Sequence, residues 1–178
     1  QILPTLPQAT VDPSPVAITG NTYTVNAGGN LQTAIDTAAS ADPALNHEIV
    51  IEAGATFTGN FILKHPANRV GATGWIVLRS SALASLPVYG RRAFPSDAAN
   101  MPRLVAGDIG DDLFTGEYNV RRYRFEGLRI EPPAQATGGS LIRIEGVSQA
   151  TQPEFIIFDR SYIHGIDGFG QHRGVHIE

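Results

Sequence analysis

The chain contains no cysteine, so neither a disulfide framework nor a zinc–thiolate centre is available to it. It has one lysine (Lys64), one tryptophan (Trp75) and one methionine (Met101). Charge is sparse, with 17% of residues charged and a formal net charge of −4. A nucleic-acid partner would need a basic face, and only the short cluster Arg121, Arg122 and Arg124 offers one. No apolar run approaches the roughly 18 residues that a spanning helix needs. These absences predict no nucleic-acid partner and no membrane span.

What is present is a globular composition. A length of 178 residues with 42% hydrophobic content suffices for one domain with its own core. The 19 glycines and 12 prolines mark many turns. Basic charge is carried by 12 arginines. A guanidinium grips carboxylates in a planar, bidentate way that an ammonium cannot. That suits an acidic ligand, although a bias of the lineage would give the same excess.

The chain opens on Gln1 without a Met. This reads as a mature N-terminus left after a leader is removed, and predicts a secreted or cell-surface protein; an engineered start would read alike. Residues 1–21 carry Pro4, Pro7, Pro13 and Pro15 without periodicity. They are expected to form an extended arm lying on the surface or on a neighbour. Residues 22–178 are expected to form the domain proper.

Residues 22–26 alternate as a strand, and Gly28-Gly29 breaks it. Asn30 can cap a helix by accepting from an orphan backbone N–H. Leu31, Ala34, Ile35 and Ala38 follow at helical spacing, giving about three turns that end near Asp42-Pro43. Everything later reads as short strands, at 48–51, 56–58, 61–64, 75–80, 103–106, 123–131, 141–145, 155–160, 162–164 and 175–178. Segments 66–74, 81–102 and 107–119 read as protruding loops.

The strands repeat. Phe125–Glu131 aligns with Phe158–His164 at an offset of 33, and Ile142–Glu145 aligns with Val175–Glu178 at the same offset. Upstream, Ile49 and Ile76 begin similar strands 27 apart. Coils of roughly 25–35 residues with several short strands and no helix between them predict an all-β parallel β-helix. Each coil would stack on the previous one at about 4.8 Å. A sandwich would need tight hairpins, and the sole Asp-Gly dipeptide, Asp167-Gly168, lies outside the strand runs.

The run Asn30-Leu31-Gln32-Thr33-Ala34-Ile35-Asp36, followed by Glu48-Ile49-Val50-Ile51-Glu52-Ala53-Gly54-Ala55-Thr56-Phe57, resembles the start of pectate-lyase-like right-handed parallel β-helix proteins. There a short helix caps the first coil. Phe158–Gly165 is similar to a repeat of their bacterial secreted members. The resemblance implies the N-terminal portion of such a protein, acting on or binding acidic polysaccharide. That superfamily holds lyases, hydrolases, epimerases and adhesins, so the fold is implied more narrowly than the activity.

The 33-residue register predicts outward stacks of Glu126 on Asp159, Arg129 on Tyr162, Glu131 on His164, Arg143 on His176 and Glu145 on Glu178. Two stacked carboxylates repel or recruit a cation, so Glu126 and Asp159 are candidate calcium ligands; a solvated ladder of mixed charge is the plainer reading. Arg129, Tyr162, His164 and His176 are candidate sugar contacts. The resemblance further implies an arginine base, for which Arg143 is the candidate. Asp108, Asp111 and Asp112 read as a polar turn or a loose calcium loop. His164, Asp167, His172 and His176 are close enough in sequence to suggest a metal. Trp75, Tyr89, Tyr118 and Tyr123 are candidate sugar-stacking rings, with core packing the stronger expectation for Trp75.

Two further functional expectations stand beside polysaccharide binding. Residues 175–178 repeat 142–145 with no coil after them, which predicts a covering partner, either another subunit or additional coils. A non-catalytic protein that self-assembles end to end would use the same edge.

Overall fold

A computed structural model describes residues 12, 14–65, 69–134, 140–146, 152–167 and 173–177, with Arg173 and Ile177 described by their backbone alone. The first strand, β1 (Thr22–Val25), leads into the one α-helix among the described residues, α1 (Leu31–Ser40). Strands follow as β2 (His47–Ile51), β3 (Thr56–Thr58), β4 (Phe61–Leu63), β5 (Ile76–Ser80), β6 (Arg103–Val105) and β7 (Phe114–Gly116). The remainder are β8 (Arg121–Glu126), β9 (Arg129–Glu131), β10 (Ser140–Ile144), β11 (Glu154–Asp159), β12 (Tyr162–Ile163) and β13 (Arg173–Ile177).

These strands form three parallel sheets. Sheet A has the order β1-β2-β5-β8-β11, sheet B β12-β9-β6-β3, and sheet C β13-β10-β7-β4. From β2 onward the chain visits A, B and C in turn, four times. Each strand from β5 onward therefore pairs with the one laid down a full round earlier.

Alternation along each strand decides what faces in. On sheet A, Ile49, Leu78, Phe125 and Phe158 are register partners. On sheet B the inward ladder is Phe57, Leu104, Ile130 and Ile163. On sheet C it is Phe61, Phe114, Ile142 and Val175. The ladders meet in one core, except that Val175 in the last round stays 40% exposed. Phe114 of sheet C lies 5.1 Å from Phe125 of sheet A, and Phe125 stacks on Phe158 at 4.6 Å with 9° between planes. Such aromatic pairs add to the area they bury.

The helix closes the first round. Asn30 Oδ1 accepts from Thr33 N at 3.0 Å, the expected cap. Leu31, Ala34, Ile35, Ala38 and Ala39 are buried against β1, β2 and β4. Gln32 then does what a neighbouring strand would do for the free edge of sheet C. Its amide oxygen accepts from Ile62 N at 2.7 Å and its amide nitrogen donates to Ile62 O at 3.0 Å. An edge satisfied this way is no longer a template for another chain.

Three expectations are corrected. The run 123–131 is two strands, because Gly127 turns the chain at φ +65° and a Cβ there would sit 2.3 Å from Leu86 Cδ1. Arg160 makes the same turn one round later at φ +49°. Segment 107–119 is not all loop, since Phe114–Gly116 forms β7 with a single inward side chain. The offset between β2 and β5 is 29, Ile49 pairing with Leu78. An error of two residues keeps the same face inward, which is why the apolar pattern alone could not detect it.

The described part of the N-terminal arm lies on this chain's own surface. Asn46 Nδ2 donates to Ala17 O at 2.8 Å, and Arg124 Nη1 to Ser14 O at 3.0 Å. Phe125 joins three rings in the core. Phe125→Ala is therefore expected to cost about 3–5 kcal/mol of stability, measured by chemical denaturation.

Candidate functional site

The outward side chains form three separate charged faces. On sheet A, Glu126 and Asp159 stack in register as the repeat predicts. They do not lie on an open surface. Glu126 is 4% exposed, Asp159 6%, and their neighbour Arg124 is fully buried. Arg124 pairs with Glu126 and reaches Asp159 at 3.8 Å, while Arg160 holds Asp159 at 2.7 Å and Glu126 at 3.7 Å.

Two carboxylates thus face two guanidiniums. Their cover is made by Ser14 O, which accepts from Arg124, Pro87 O, which accepts from Arg160 at 3.4 Å, and Gly90 N, which donates to Asp159 at 3.2 Å. The expected exposed acid pair is instead a buried four-charge box, with arginine where a calcium ion was expected. Among the described residues no cluster of three or more His, Asp or Glu side chains gathers as a metal site.

Further along the same outward face, Glu48 is bound by Arg79 Nε at 2.5 Å and by Thr22 Oγ1 at 2.9 Å. Burial pushes the Glu48 carboxyl up. The hydrogen bonds from Arg79 and Thr22 and the charge of Arg79 outweigh that and hold it below the ordinary carboxylate range.

Sheet C carries Arg143 and His176 as outward register partners. Arg143 Nε forms an ion pair with Asp112 Oδ2 at 2.7 Å. Glu145 Oε1 lies 3.9 Å from Arg143 Nε and 3.8 Å from His176 Nδ1. An open cleft of about 580 Å³ runs beside them, lined by Thr115, Gly116, Glu117, Tyr118, Arg143 and Glu145. The three aspartates of the preceding turn do not converge. Asp111 accepts from Asn60 Nδ2 at 2.8 Å, Asp108 from Ile109 N at 2.8 Å, and Asp112 is taken by Arg143.

Sheet B carries two arginines that reach solvent. Arg103 and Arg129 are register partners, with Tyr162 next on the same ladder. Glu131, 2% exposed, receives Arg103 on Oε1 and Arg129 on Oε2, the latter at 2.7 Å. His164 Nε2 lies 3.1 Å from Glu131 Oε2, an approach that is not aligned as a hydrogen bond. The His164 ring stacks on Tyr162 at 4.4 Å. Tyr162 in turn packs, as Leu83 does, against the cluster of Leu86, Ala93 and Met101.

One buried carboxylate therefore orients two guanidiniums that stay 41% and 32% exposed. The geometry pre-sets both side chains and leaves donors facing outward. Of the sequence candidates, Arg129, Tyr162 and His164 are brought together here. Arg143 and His176 are together on sheet C, and Glu126 and Asp159 on sheet A. The acid pair and Arg143 thus belong to different sheets and form no common site.

His164 and His176 are likewise on different sheets, and His172 and Glu178 lie outside the described residues. Tyr123 is a core residue, fully buried with its hydroxyl donating to Lys64 O at 2.8 Å. Tyr89 and Tyr118 are exposed. Trp75 meets Phe155 edge-on at 6.5 Å and lies under Arg122. Arg103 was missed because segment 107–119, read as loop, hides its 26-residue offset from Arg129. Comparison with protein-family models, with curated proteins and with solved structures finds no match.

Two outcomes follow from the sheet A face. Arg124→Ala leaves Glu126 buried beside the second carboxylate and is expected to cost about 3–5 kcal/mol in denaturant unfolding. Glu48 has a folded-state value below its unfolded one, so the stability it contributes is present above the unfolded carboxylate range and lost as pH falls through the folded value. Glu48→Gln should flatten the acid limb of a stability–pH curve. An unchanged limb would contradict this assignment.

Proposed function

We propose that the three sheets close into a right-handed parallel β-helix, and that the chain is an extracellular protein that binds acidic polysaccharide through the outer face of sheet B. The observation that carries this reading is the pair Arg103 and Arg129, anchored in parallel by the buried Glu131 beside the Tyr162–His164 stack. Guanidiniums one strand spacing apart, about 4.8 Å, offer successive donors to the carboxylates of a uronate chain. An aromatic ring fixed on the same ladder offers a flat face to a sugar ring. The strand order A, B, C, repeated four times, supports the helical closure, as does the likeness of residues 30–57 to the capped first coil of pectate-lyase-like proteins.

Binding, rather than elimination, is the part the geometry supports best. Arg143 is ion-paired with Asp112 and lines an open cleft, which is a posture for holding an anion. Since Glu126 and Asp159 are already met by Arg124 and Arg160, binding should persist when calcium is chelated.

The test is affinity electrophoresis or calorimetry with polygalacturonate and alginate, against a neutral dextran. The acidic polymers should bind and the neutral one should not. A charged hydrogen bond contributes about 1.5–3 kcal/mol, so Arg103→Gln and Arg129→Gln should each weaken binding about tenfold or more, with added salt acting in the same direction. Equal affinity for dextran, or no loss in either variant, would remove the proposal. Following the absorbance of unsaturated product in the same mixtures reports whether elimination accompanies binding.

A further inference from the structure

The corner where the chain passes from sheet C to sheet A holds a second group of cations, remote from Arg103 and Arg129 in the fold. Arg69 is fully buried, and only its Nη2 is used, donating to Gly74 O at 2.9 Å. That acceptor is fixed, because Gly74 lies against the backbone of Leu45 so closely that a Cβ would sit 2.0 Å from Leu45 O. The Nε and Nη1 of Arg69 have no hydrogen-bond partner. The same holds for His65 Nδ1, Arg121 Nε and Arg122 Nε. Of the six buried side-chain nitrogens without a partner among the described residues, five are in this corner.

Nearby acids do not answer them. Glu117 is engaged by Lys64 Nζ at 3.2 Å and by His65 N at 2.8 Å, and Glu154 by Arg121 Nη2 at 2.8 Å. Arg122 lies over the Phe155 ring at 4.6 Å and the Trp75 ring at 5.7 Å, so aromatic faces attract its charge without filling its Nε. Burial drives the Tyr123 phenol up, so it stays neutral and cannot serve as the missing anion. Burial, then the charges of Arg121 and Arg69, push His65 down despite the opposing pull of Glu117.

Buried donors are almost always satisfied in folded proteins, and a group left without a partner calls for a bound ion or water. A guanidinium out of water with no counter-charge is among the costliest of such groups. We propose that this corner binds a compact oxyanion, a carboxylate, sulfate or phosphate group, which accepts from the free donors of Arg69 and its basic neighbours. Arg121 and Lys64 form the wetter rim, their side chains 24% and 35% exposed.

The experiment is calorimetric titration of the full chain with sodium sulfate, sodium phosphate or sodium galacturonate at ionic strength matched with sodium chloride. The expected result is a saturable isotherm with one anion per chain. Arg69→Met, which keeps the apolar stem, and Arg122→Gln should each weaken it at least tenfold, whereas Arg91→Gln at an exposed position of segment 81–102 should leave it unchanged. Arg122→Gln carries the test if Arg69→Met does not fold. Saturation by galacturonate alone assigns the site to an acidic sugar, and saturation by the inorganic ions assigns it to sulfate or phosphate. The His65 ring signals in an NMR pH titration should move to higher pH with the bound anion, because a negative charge favours the imidazolium facing Arg69, Arg121 and Glu117. No saturable binding of any of the three anions, or undiminished binding in the folded Arg69 or Arg122 variants, would overturn the proposal.

Discussion

Every strand from β5 onward depends on the hydrogen-bonding edge of a strand laid down one round earlier. A three-residue strand such as Phe114–Gly116 has no stability of its own. It becomes regular structure because β4 lies below it and β10 above it. The same stacking buries the apolar side chains, since one round alone cannot cover its own inner face. Parallel pairing and core burial are thus a single constraint, and α1 with Gln32 meets it at the first round beside β4, where sheet C has no earlier strand.

The constraint also distributes the charge. A side chain that alternates outward is stacked on the outward side chain one round earlier, so charges meet in columns and must be sorted. Sheet A sorts them by burial, with Arg124, Glu126, Asp159 and Arg160 closed under residues 14 and 87–90. Sheet B keeps its surplus positive and facing solvent, with one carboxylate between two guanidiniums. Sheet C leaves Arg143 beside a cleft. The corner at Arg69 departs from this sorting, since buried cations there exceed the acids available to them. The first arrangement serves stability, while the exposed pair and the unbalanced corner suit anionic ligands.

Much of this was legible in the sequence, for a physical reason. The last round has an offset of 33 on all three sheets, Phe158 on Phe125, Tyr162 on Arg129 and Val175 on Ile142, so the stacks involving Glu126, Arg129 and Arg143 could be read directly. The helix, its Asn30 cap and the strand at 56–58 also carried clear local signals. What failed was whatever depended on long insertions. Arg103 is separated from Arg129 by segment 107–119, and segment 81–102 covers the acid pair that seemed open to solvent. Periodicity tells which side of a strand a residue occupies. It does not tell whether a distant loop or an N-terminal arm lies over that side, nor which of three sheets the strand joins. Arg69 left no signal at all, because a buried arginine in a loop has the same local sequence as an exposed one.

Because the chain lacks cysteine, its register can be tested with a single introduced pair. Arg143 and His176 are outward partners on β10 and β13, at a parallel-strand spacing that falls within the Cα separation of about 4.4–6.8 Å a disulfide accepts. The double variant Arg143→Cys with His176→Cys should form an intramolecular disulfide under mild oxidation, detected by intact mass and gel mobility. The control Arg143→Cys with Val175→Cys, whose second position faces inward, should not. Failure of the first pair to close in folded protein, or equal closure of both, would contradict the in-register parallel stack on which the account rests.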